Sequence, residues 1–303
     1  MKKSKPFIFR LLLTVSVLAI LFNSCDNKDE LILVTDIRFE QPALSLLAGE
    51  EHTLTAITTP ENVNPKKIKW TSSDASKATV VNGKVVAVSA GTVTITAEIN
   101  NQITVCTINI KDAKDGVRIN GVIWATRNVD EVGTFASAPE DAGMFYQWNR
   151  KTAYAVIGEV ANWDFTIPEG DKWEKINDPS PAGWRVPTLE EINSLRDIDK
   201  VSNEWTTVNG VTGRKFTDRA TNQSIFLPAM GSRHSVYYLN GEFKGSSHEY
   251  FESRGNYWSS TSNSLFEDGC CAFNLGVRDG AEGSYWSISI GKQAGLSVRS
   301  VAE

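Results

Sequence analysis

The stretch that decides the fold of the C-terminal half of the chain is Pro181-Ala182-Gly183-Trp184-Arg185-Val186-Pro187-Thr188-Leu189-Glu190-Glu191. Pro187 restricts the residue before it to extended geometry, so the chain enters as a strand or loop. Thr188 can then cap a helix, and Glu191 can close a capping box with it. The apolar residues that follow at helical spacing are Leu189, Ile192 and Leu195. We therefore expect a helix that reaches about Arg196, has one buried face, and follows a buried Trp184.

Residues 1–24 have the features of an export signal. A basic segment precedes the apolar run Leu11–Leu21, which is shorter than the ~20 residues that span a bilayer. The next residues, ending in Cys25, resemble a lipobox. We expect a lipoprotein signal peptide at 1–24, acylation of Cys25 that anchors the chain in a lipid bilayer, and an acidic tether at 25–32; ordinary signal cleavage is the alternative. The tether resembles an export signal to the outer face of the outer membrane.

Charge and cysteine content exclude several classes of function. Loss of residues 1–24 removes four positive charges and moves the formal net charge from −5 to −9, which argues against nucleic acid as a partner. Besides Cys25, the cysteines are Cys106, Cys270 and Cys271, too few for a disulfide framework. Neighbouring cysteines on a strand point to opposite faces. The chain has only three histidines and no Cys/His cluster, so we expect neither a metal site nor a cofactor.

Residues 33–111 predict an all-β sandwich. Short alternating apolar segments are separated by turns, and Asn82-Gly83 is a strong signal for a type I′ hairpin. The residues that resemble a known family are Val34-Thr35, Ile37, Leu44-Ser45-Leu46, Gly49, Trp70, Ser72-Ser73-Asp74, Ala78-Thr79-Val80, Asn82-Gly83-Lys84-Val85 and Gly91-Thr92-Val93-Thr94-Ile95-Thr96-Ala97. This pattern is similar to the bacterial Ig-like group 2 domain. The resemblance implies a stalk, with Trp70 as the core tryptophan.

Residues 112–116 form a polar linker, and the composition changes beyond them. Residues 117–303 contain most of the aromatic side chains, including eight of the nine tryptophans. The motifs in chain order are Trp124-Ala125-Thr126-Arg127-Asn128-Val129, Phe145-Tyr146-Gln147-Trp148, Pro181–Thr188, Tyr257-Trp258-Ser259-Ser260-Thr261 and Leu296-Ser297-Val298-Arg299-Ser300-Val301. This series resembles the major paralogous domain family called FISUMP. The resemblance implies an α+β, C-type-lectin-like domain with one main helix, and the chain as a whole is then multidomain.

The family resemblance also predicts one contact. FISUMP domains often have a cysteine before Pro-x-Gly-Trp and another in the last motif, where this chain has Ser180 and Ser300. Joint loss of both cysteines is expected of a bonded pair, so we predict that Ser180 and Ser300 are near neighbours.

Catalytic signatures are weak. Ser259-Ser260 lacks a nucleophile elbow and a partner base, and Glu190 and Glu191 are better explained by helix capping. We interpret Trp124, Trp184, Trp258 and a half-buried Arg299 as scaffold. The ligand-binding candidates, beside Gly-rich loops, are Tyr237, Tyr238, Tyr250 and Trp286. Calcium ligands at Glu267, Asp268 and Asp279 are an open alternative to solvated acids.

The expected function is non-catalytic binding or adhesion at the cell surface, with an extracellular glycan or a surface protein as partner. The first alternative is a structural component of a surface or fimbrial assembly, and the second is an enzyme of unknown type.

Overall fold

A computed structural model of the chain describes residues 33–61, 63–112, 114–237, 243–263, 270–280 and 285–303, without the side chains of residues 236, 237, 243, 244 and 285–289. Residues 34–303 form one compact unit. We divide it into an N-terminal region, residues 34–111, and a C-terminal region, residues 116–303. The predicted signal peptide, Cys25 and the tether lie outside the described residues.

The N-terminal region is a sandwich of short strands. These are β1 (Asp36–Phe39), β2 (Ala43–Leu47), β3 (Glu51–Thr53), β4 (Ala56–Thr59), β5 (Lys69–Ser72), β6 (Ala78–Val81), β7 (Lys84–Ala87), β8 (Gly91–Ile99) and β9 (Gln102–Lys111). The main sheet has the order β2-β9-β8-β5, in which β2 runs parallel to β9, and the second has the order β3-β7-β6. Asn82 and Gly83 join β6 to β7 with φ angles of 50° and 83°, which confirms the predicted hairpin.

Alternation along the strands places aliphatic side chains in the core of this sandwich. In β8, every second residue from Val93 to Ile99 is buried. Trp70 differs from the expectation of a core residue: it is half-buried and packs against the core from β5, with its ring centroid 5.8 Å from that of Phe39. The reason is its position, because β5 is an edge strand of the main sheet and has a neighbour on one side only.

The C-terminal region is also built mainly of strands. Its elements are β10 (Gly116–Ile119), β11 (Val122–Ala125), β12 (Phe145–Gln147), β13 (Ala153–Tyr154), β14 (Trp184–Arg185), α1 (Leu189–Ser194), β15 (Val201–Val208), β16 (Val211–Asp218), β17 (Ser224–Pro228), β18 (Ser232–Tyr237), β19 (Phe243–Glu249), β20 (Arg254–Ser262), β21 (Cys271–Arg278), β22 (Tyr285–Gly291), β23 (Gly295–Leu296) and β24 (Val301–Ala302). The sheets have the orders β10-β11-β24-β14, β13-β12-β23-β18-β19, β15-β16-β17 and β20-β21-β22. Among the described residues, α1 is the one α-helix and has six residues, so this region has less helix than an α+β domain was expected to have.

Helix α1 begins as the sequence predicts. The Glu191 amide donates to Thr188 Oγ1 at 3.2 Å, and the Thr188 amide donates to Glu191 Oε2 at 2.8 Å, which completes the capping box. Ile192 and Leu195 are buried against the strands. The helix ends at Ser194, two residues before the predicted end. The carboxylate of Glu191 also accepts hydrogen bonds from both terminal nitrogens of Arg185.

The core of the C-terminal region combines large rings with buried cations. The side chains of Trp124, Trp148 and Trp258 are almost completely buried. Arg299, expected to be half-buried, is 1% exposed, because its donors face acceptors inside the protein. It donates to Asn128 Oδ1 at 2.8 and 3.0 Å and to the Thr126 carbonyl at 2.8 Å.

The predicted neighbourhood of Ser180 and Ser300 is confirmed. Their hydroxyl oxygens lie 2.7 Å apart in a hydrogen bond, although the residues are 120 positions apart in the chain. A hydrogen-bonded serine pair therefore occupies the place that the family resemblance assigns to two cysteines.

Trp184 is buried, as the sequence predicts, and its neighbours come from both regions. It is buried in a cluster with Leu47, Ile123 and Ala125, and Leu47 belongs to the N-terminal region. Gly116 is also part of this contact, because a Cβ there would lie 2.9 Å from Leu47 Cδ2 and 3.0 Å from the Trp184 ring. Trp184 therefore joins the two regions as well as anchoring the start of α1.

Candidate functional site

The four candidate aromatic residues are placed unequally. Tyr238 lies outside the described residues. Tyr237 and Trp286 are placed by their backbone only, in β18 and β22. Tyr250 lies on the turn between β19 and β20 with 46% of its surface exposed. Of the four, Tyr250 is the one whose side chain the structure describes.

Phe251 is the partner that sequence reasoning missed. It follows Tyr250 directly and is also 46% exposed, so two large aromatic side chains stand next to each other at the surface. A signal was available, because the two rings follow the polar segment Ser246–Glu249 and consecutive residues of an extended chain cannot both face a core. We call residues 250–253 the aromatic turn.

The backbone of the aromatic turn is held in an uncommon conformation. Tyr250 and Glu252 have φ angles of 63° and 58°, in the left-handed region that bulky residues avoid. The Tyr250 carbonyl accepts the amides of Ser253 at 3.1 Å and Arg254 at 3.0 Å. A strained conformation fixed by its surroundings is a feature of functional sites more often than of ordinary loops.

Neighbouring segments fix the same turn from outside. The Glu252 amide donates to the Ala229 carbonyl at 2.9 Å, and the Glu252 carbonyl accepts the Thr212 hydroxyl at 2.9 Å. Gly231 has a φ of 72°, and a Cβ there would lie 2.1 Å from the Glu249 carbonyl oxygen. Only glycine fits this close approach, because a side chain at position 231 would clash with the backbone just before the turn.

Polar groups beneath the two rings hold their orientation. The Arg254 guanidinium lies 4.2 Å from the centroid of the Tyr250 ring, a cation–π contact. The His248 ring meets the Phe251 ring edge-to-face at 5.4 Å, and its Nε2 bonds to the Met230 carbonyl at 2.7 Å. The turn therefore presents two oriented, half-exposed aromatic side chains, which suit apolar stacking.

A concave surface lies between the two regions. This cleft has a volume of about 1030 Å³ and is lined by β2, β3 and the β10–β11 hairpin. It contains an ion pair, in which Arg118 donates to both carboxylate oxygens of Glu50, at 2.8 and 2.9 Å. Burial raises the pKa of Glu50, but hydrogen bonds from Arg118 and the Leu47 amide outweigh it and hold that pKa below its usual value. These contacts explain the cleft as a salt-bridged junction.

Neither a metal-binding cluster nor a long apolar helix occurs among the described residues. Within the described ranges, no group of three or more His, Cys, Asp and Glu side chains is placed to hold a metal ion. Of the candidate calcium ligands, Glu267 and Asp268 lie outside those ranges, and Asp279 is exposed and accepts the Gly280 amide. No helix in the described part of the chain is long and apolar enough to cross a membrane.

Comparison with known families identifies the N-terminal region. Residues 33–107 match the family model of the bacterial Ig-like domain (group 2). These residues are a bacterial Ig-like domain. The match agrees with the sandwich of aliphatic strands described above, and we call the N-terminal region the Ig-like domain from here on.

Two curated relatives and several solved structures are similar to parts of the chain. An uncharacterized protein of Clostridium acetobutylicum is 37% identical over 102 residues, which are 32% of this chain and 10% of that protein. A 3-O-alpha-D-galactosyl-alpha-L-arabinofuranosidase of Bifidobacterium longum subsp. longum is 54% identical over 54 residues, 18% of this chain and 5% of that protein. The chain therefore spans a tenth or less of these relatives. The S-layer protein rSbsC(31-844) aligns over 71% of this chain and 25% of its own, at 15% identity and a TM-score of 0.25, and the titin fragment I67-I69 over 84% and 97%, at 10% identity and a TM-score of 0.19.

Proposed function

We propose that this chain is a cell-surface lipoprotein whose C-terminal region binds a glycan, without catalysis, at the aromatic turn. The observation that carries the proposal is the pair Tyr250 and Phe251, two adjacent rings that are each 46% exposed on a turn with a fixed backbone. Large apolar side chains at the surface of a rigid loop are typical of recognition sites.

The physical basis is stacking. Sugar rings have apolar faces that pack on aromatic rings, while the tyrosine hydroxyl can bond to sugar hydroxyls. Tyr250 and Phe251 are positioned before binding by Arg254 and His248, so little conformational freedom is lost when a ligand arrives. The same surface suits a protein ligand, which is the alternative partner.

The other parts of the proposal concern placement. The motif series in residues 117–303 and the paired Ser180 and Ser300 support membership of the FISUMP family and its lectin-like fold. The Ig-like domain would act as the stalk. Acylation of Cys25 would fix the chain to the outer membrane, because each buried CH₂ contributes ~0.8 kcal/mol and two or three acyl chains together hold firmly.

The binding proposal is tested on a glycan array with the full chain. We expect bound glycans, with the signal lost or reduced at least tenfold in Tyr250→Ala and in Phe251→Ala. The matched control is Ile176→Ala, which removes an exposed apolar side chain elsewhere in the same region and should leave binding unchanged. Equal binding by all three variants would place the site elsewhere.

A full chain that binds no glycan but co-purifies with one defined surface protein would favour the structural-assembly alternative instead. The anchor is tested separately by Cys25→Ser, which should move the protein from the membrane fraction to the soluble fraction. Retention of that variant in the membrane would contradict the lipid anchor and leave the glycan test unaffected.

A further inference from the structure

Cys270 and Cys271 bring their sulfur atoms into close contact. The two Sγ atoms lie 2.9 Å apart, within about 1 Å of a disulfide bond length, and neither is in a disulfide. Both residues are half-buried, so small reagents can reach them. The sequence led us to expect side chains on opposite faces of a strand; this is wrong because Cys270 precedes β21, which begins at Cys271.

The backbone around the pair is anchored on both sides. The Cys270 carbonyl accepts the Lys292 amide at 2.8 Å, and the Cys271 carbonyl accepts the Asn263 amide at 3.0 Å. Cys271 also pairs with Gly291 of β22. The close approach of the two sulfurs is therefore part of the folded arrangement of β21 and its neighbours.

The residue whose amide bonds to the Cys270 carbonyl carries a buried cation. Lys292 is 1% exposed, donates from Nζ to the Gly170 carbonyl at 2.7 Å, and lies 4.4 Å from the Trp148 ring centroid. Burial holds the pKa of Lys292 below its usual value and outweighs the opposing effect of negative charge on Cys270, Cys271 and Asp171.

We propose that Cys270 and Cys271 form a redox site that closes to a vicinal disulfide by exchange with a small-molecule disulfide. One thiolate attacks a sulfur of the small disulfide and expels a thiolate, which takes up a proton. The neighbouring thiolate then attacks the mixed disulfide and releases the second small thiol. The two cysteines lose two electrons and two protons in total, and the small disulfide gains them as two thiols.

The proposed bond has the properties of a switch. A disulfide between adjacent residues closes a small ring and departs from relaxed geometry, which makes it easier to reduce than a structural disulfide. Cys271 is the first residue of β21 and pairs with Gly291 of β22. Formation of the disulfide would therefore restrict the backbone at this end of the strand pair, and reduction would restore its freedom.

The experiment uses the full chain and oxidised glutathione. After incubation, the protein is unfolded, treated with iodoacetamide without reduction, and digested with trypsin. The tryptic peptide 255–278 contains Cys270 and Cys271 and no other cysteine. We expect this peptide unalkylated and two hydrogen atoms lighter than its dithiol form, and alkylated at both sites after reduction. A peptide that is doubly alkylated without reduction, or carries stable glutathione, would overturn the proposal.

Cys106 provides the internal control, since it is fully buried in the Ig-like domain and lies in the separate tryptic peptide 85–111. It should be alkylated in the same sample without reduction. In Cys270→Ser and Cys271→Ser the remaining cysteine should retain glutathione, because no neighbour can displace it. A disulfide between peptides 85–111 and 255–278 would also contradict the proposed pairing.

Discussion

The Ig-like domain and the C-terminal region bury different chemistry. The core of the Ig-like domain consists mainly of aliphatic side chains and also includes Phe39 and Cys106. Thr58 is the one buried polar residue among those described in this domain. The C-terminal region instead buries three arginines and a lysine: Arg214, Arg233, Arg299 and Lys292. For example, one terminal nitrogen of Arg233 donates hydrogen bonds to the carbonyls of Ala155, Val156 and Gly158.

The difference shows two ways of stabilising a mainly β structure. Regular strands satisfy their own backbone groups in ladders, so the core between them can be purely apolar. Long connecting segments leave carbonyls without ladder partners, and a buried guanidinium with five donors can satisfy several at once. The C-terminal region thus uses cations where the Ig-like domain uses sheet pairing.

The largest expected effect tests the cation half of this comparison. Arg299→Ala removes the donor of three buried acceptors, and each unsatisfied acceptor costs ~1–3 kcal/mol. We expect the free energy of unfolding to fall by about 4–6 kcal/mol in urea denaturation. Arg299→Lys should recover part of it. A loss below about 1 kcal/mol would break the comparison, because the cation would then be dispensable.

Trp184→Ala tests whether the two regions are separate units. Deletion of a large buried aromatic side chain costs about 3–5 kcal/mol. Because Trp184 and Leu47 share one cluster across the junction, the double variant with Leu47→Ala should be non-additive by about 0.5–3 kcal/mol. Additive losses would mean that the regions are energetically independent. A near-neutral effect of Trp184→Ala on stability, with loss of ligand binding, would instead assign the residue to a binding site.

The pH dependence of stability tests the capping box at the start of α1, to which Glu191 belongs. Burial raises the pKa of Glu191, but the hydrogen bonds from Arg185 and Thr188 outweigh it, and the net pKa is lowered below 4.5. A lowered carboxyl pKa stabilises the fold above the unfolded pKa, and this contribution is lost as pH falls through the folded pKa. Glu191→Gln should therefore cost about 1–2 kcal/mol near pH 7. The difference from the parent chain should shrink in acid; a constant difference from pH 7 to pH 3 would contradict this.

The smallest expected effect belongs to the Ig-like core. Ile95→Val removes one buried methylene in β8 and should cost about 0.5–1.5 kcal/mol. Ile103→Val on the exposed face of β9 is the matched control and should be close to neutral. If both variants lose the same stability, the aliphatic core is less closely packed than the alternation of β8 implies.

Short-range patterns were sufficient for much of the fold. The Asn82-Gly83 turn and the capping box of Thr188 and Glu191 follow from rules that act within four residues, and both are present. The family resemblance added one long-range contact, between Ser180 and Ser300. The polar segment before the aromatic turn was the available signal for Phe251, but the turn conformation that exposes this ring depends on the strands that hold it.

The sequence alone determined the strand alternation of the Ig-like domain, its turns and the start of α1, because each depends on neighbouring residues. The tertiary structure decided that Trp184 joins two regions, that Arg299 is buried, and that the sulfurs of Cys270 and Cys271 lie close together at the start of β21. Arg299 finds its acceptor on Asn128, 171 positions away, and such a contact leaves no periodic signal along the chain. Burial of a charge depends on where carbonyls converge in space, and only the folded chain brings them together.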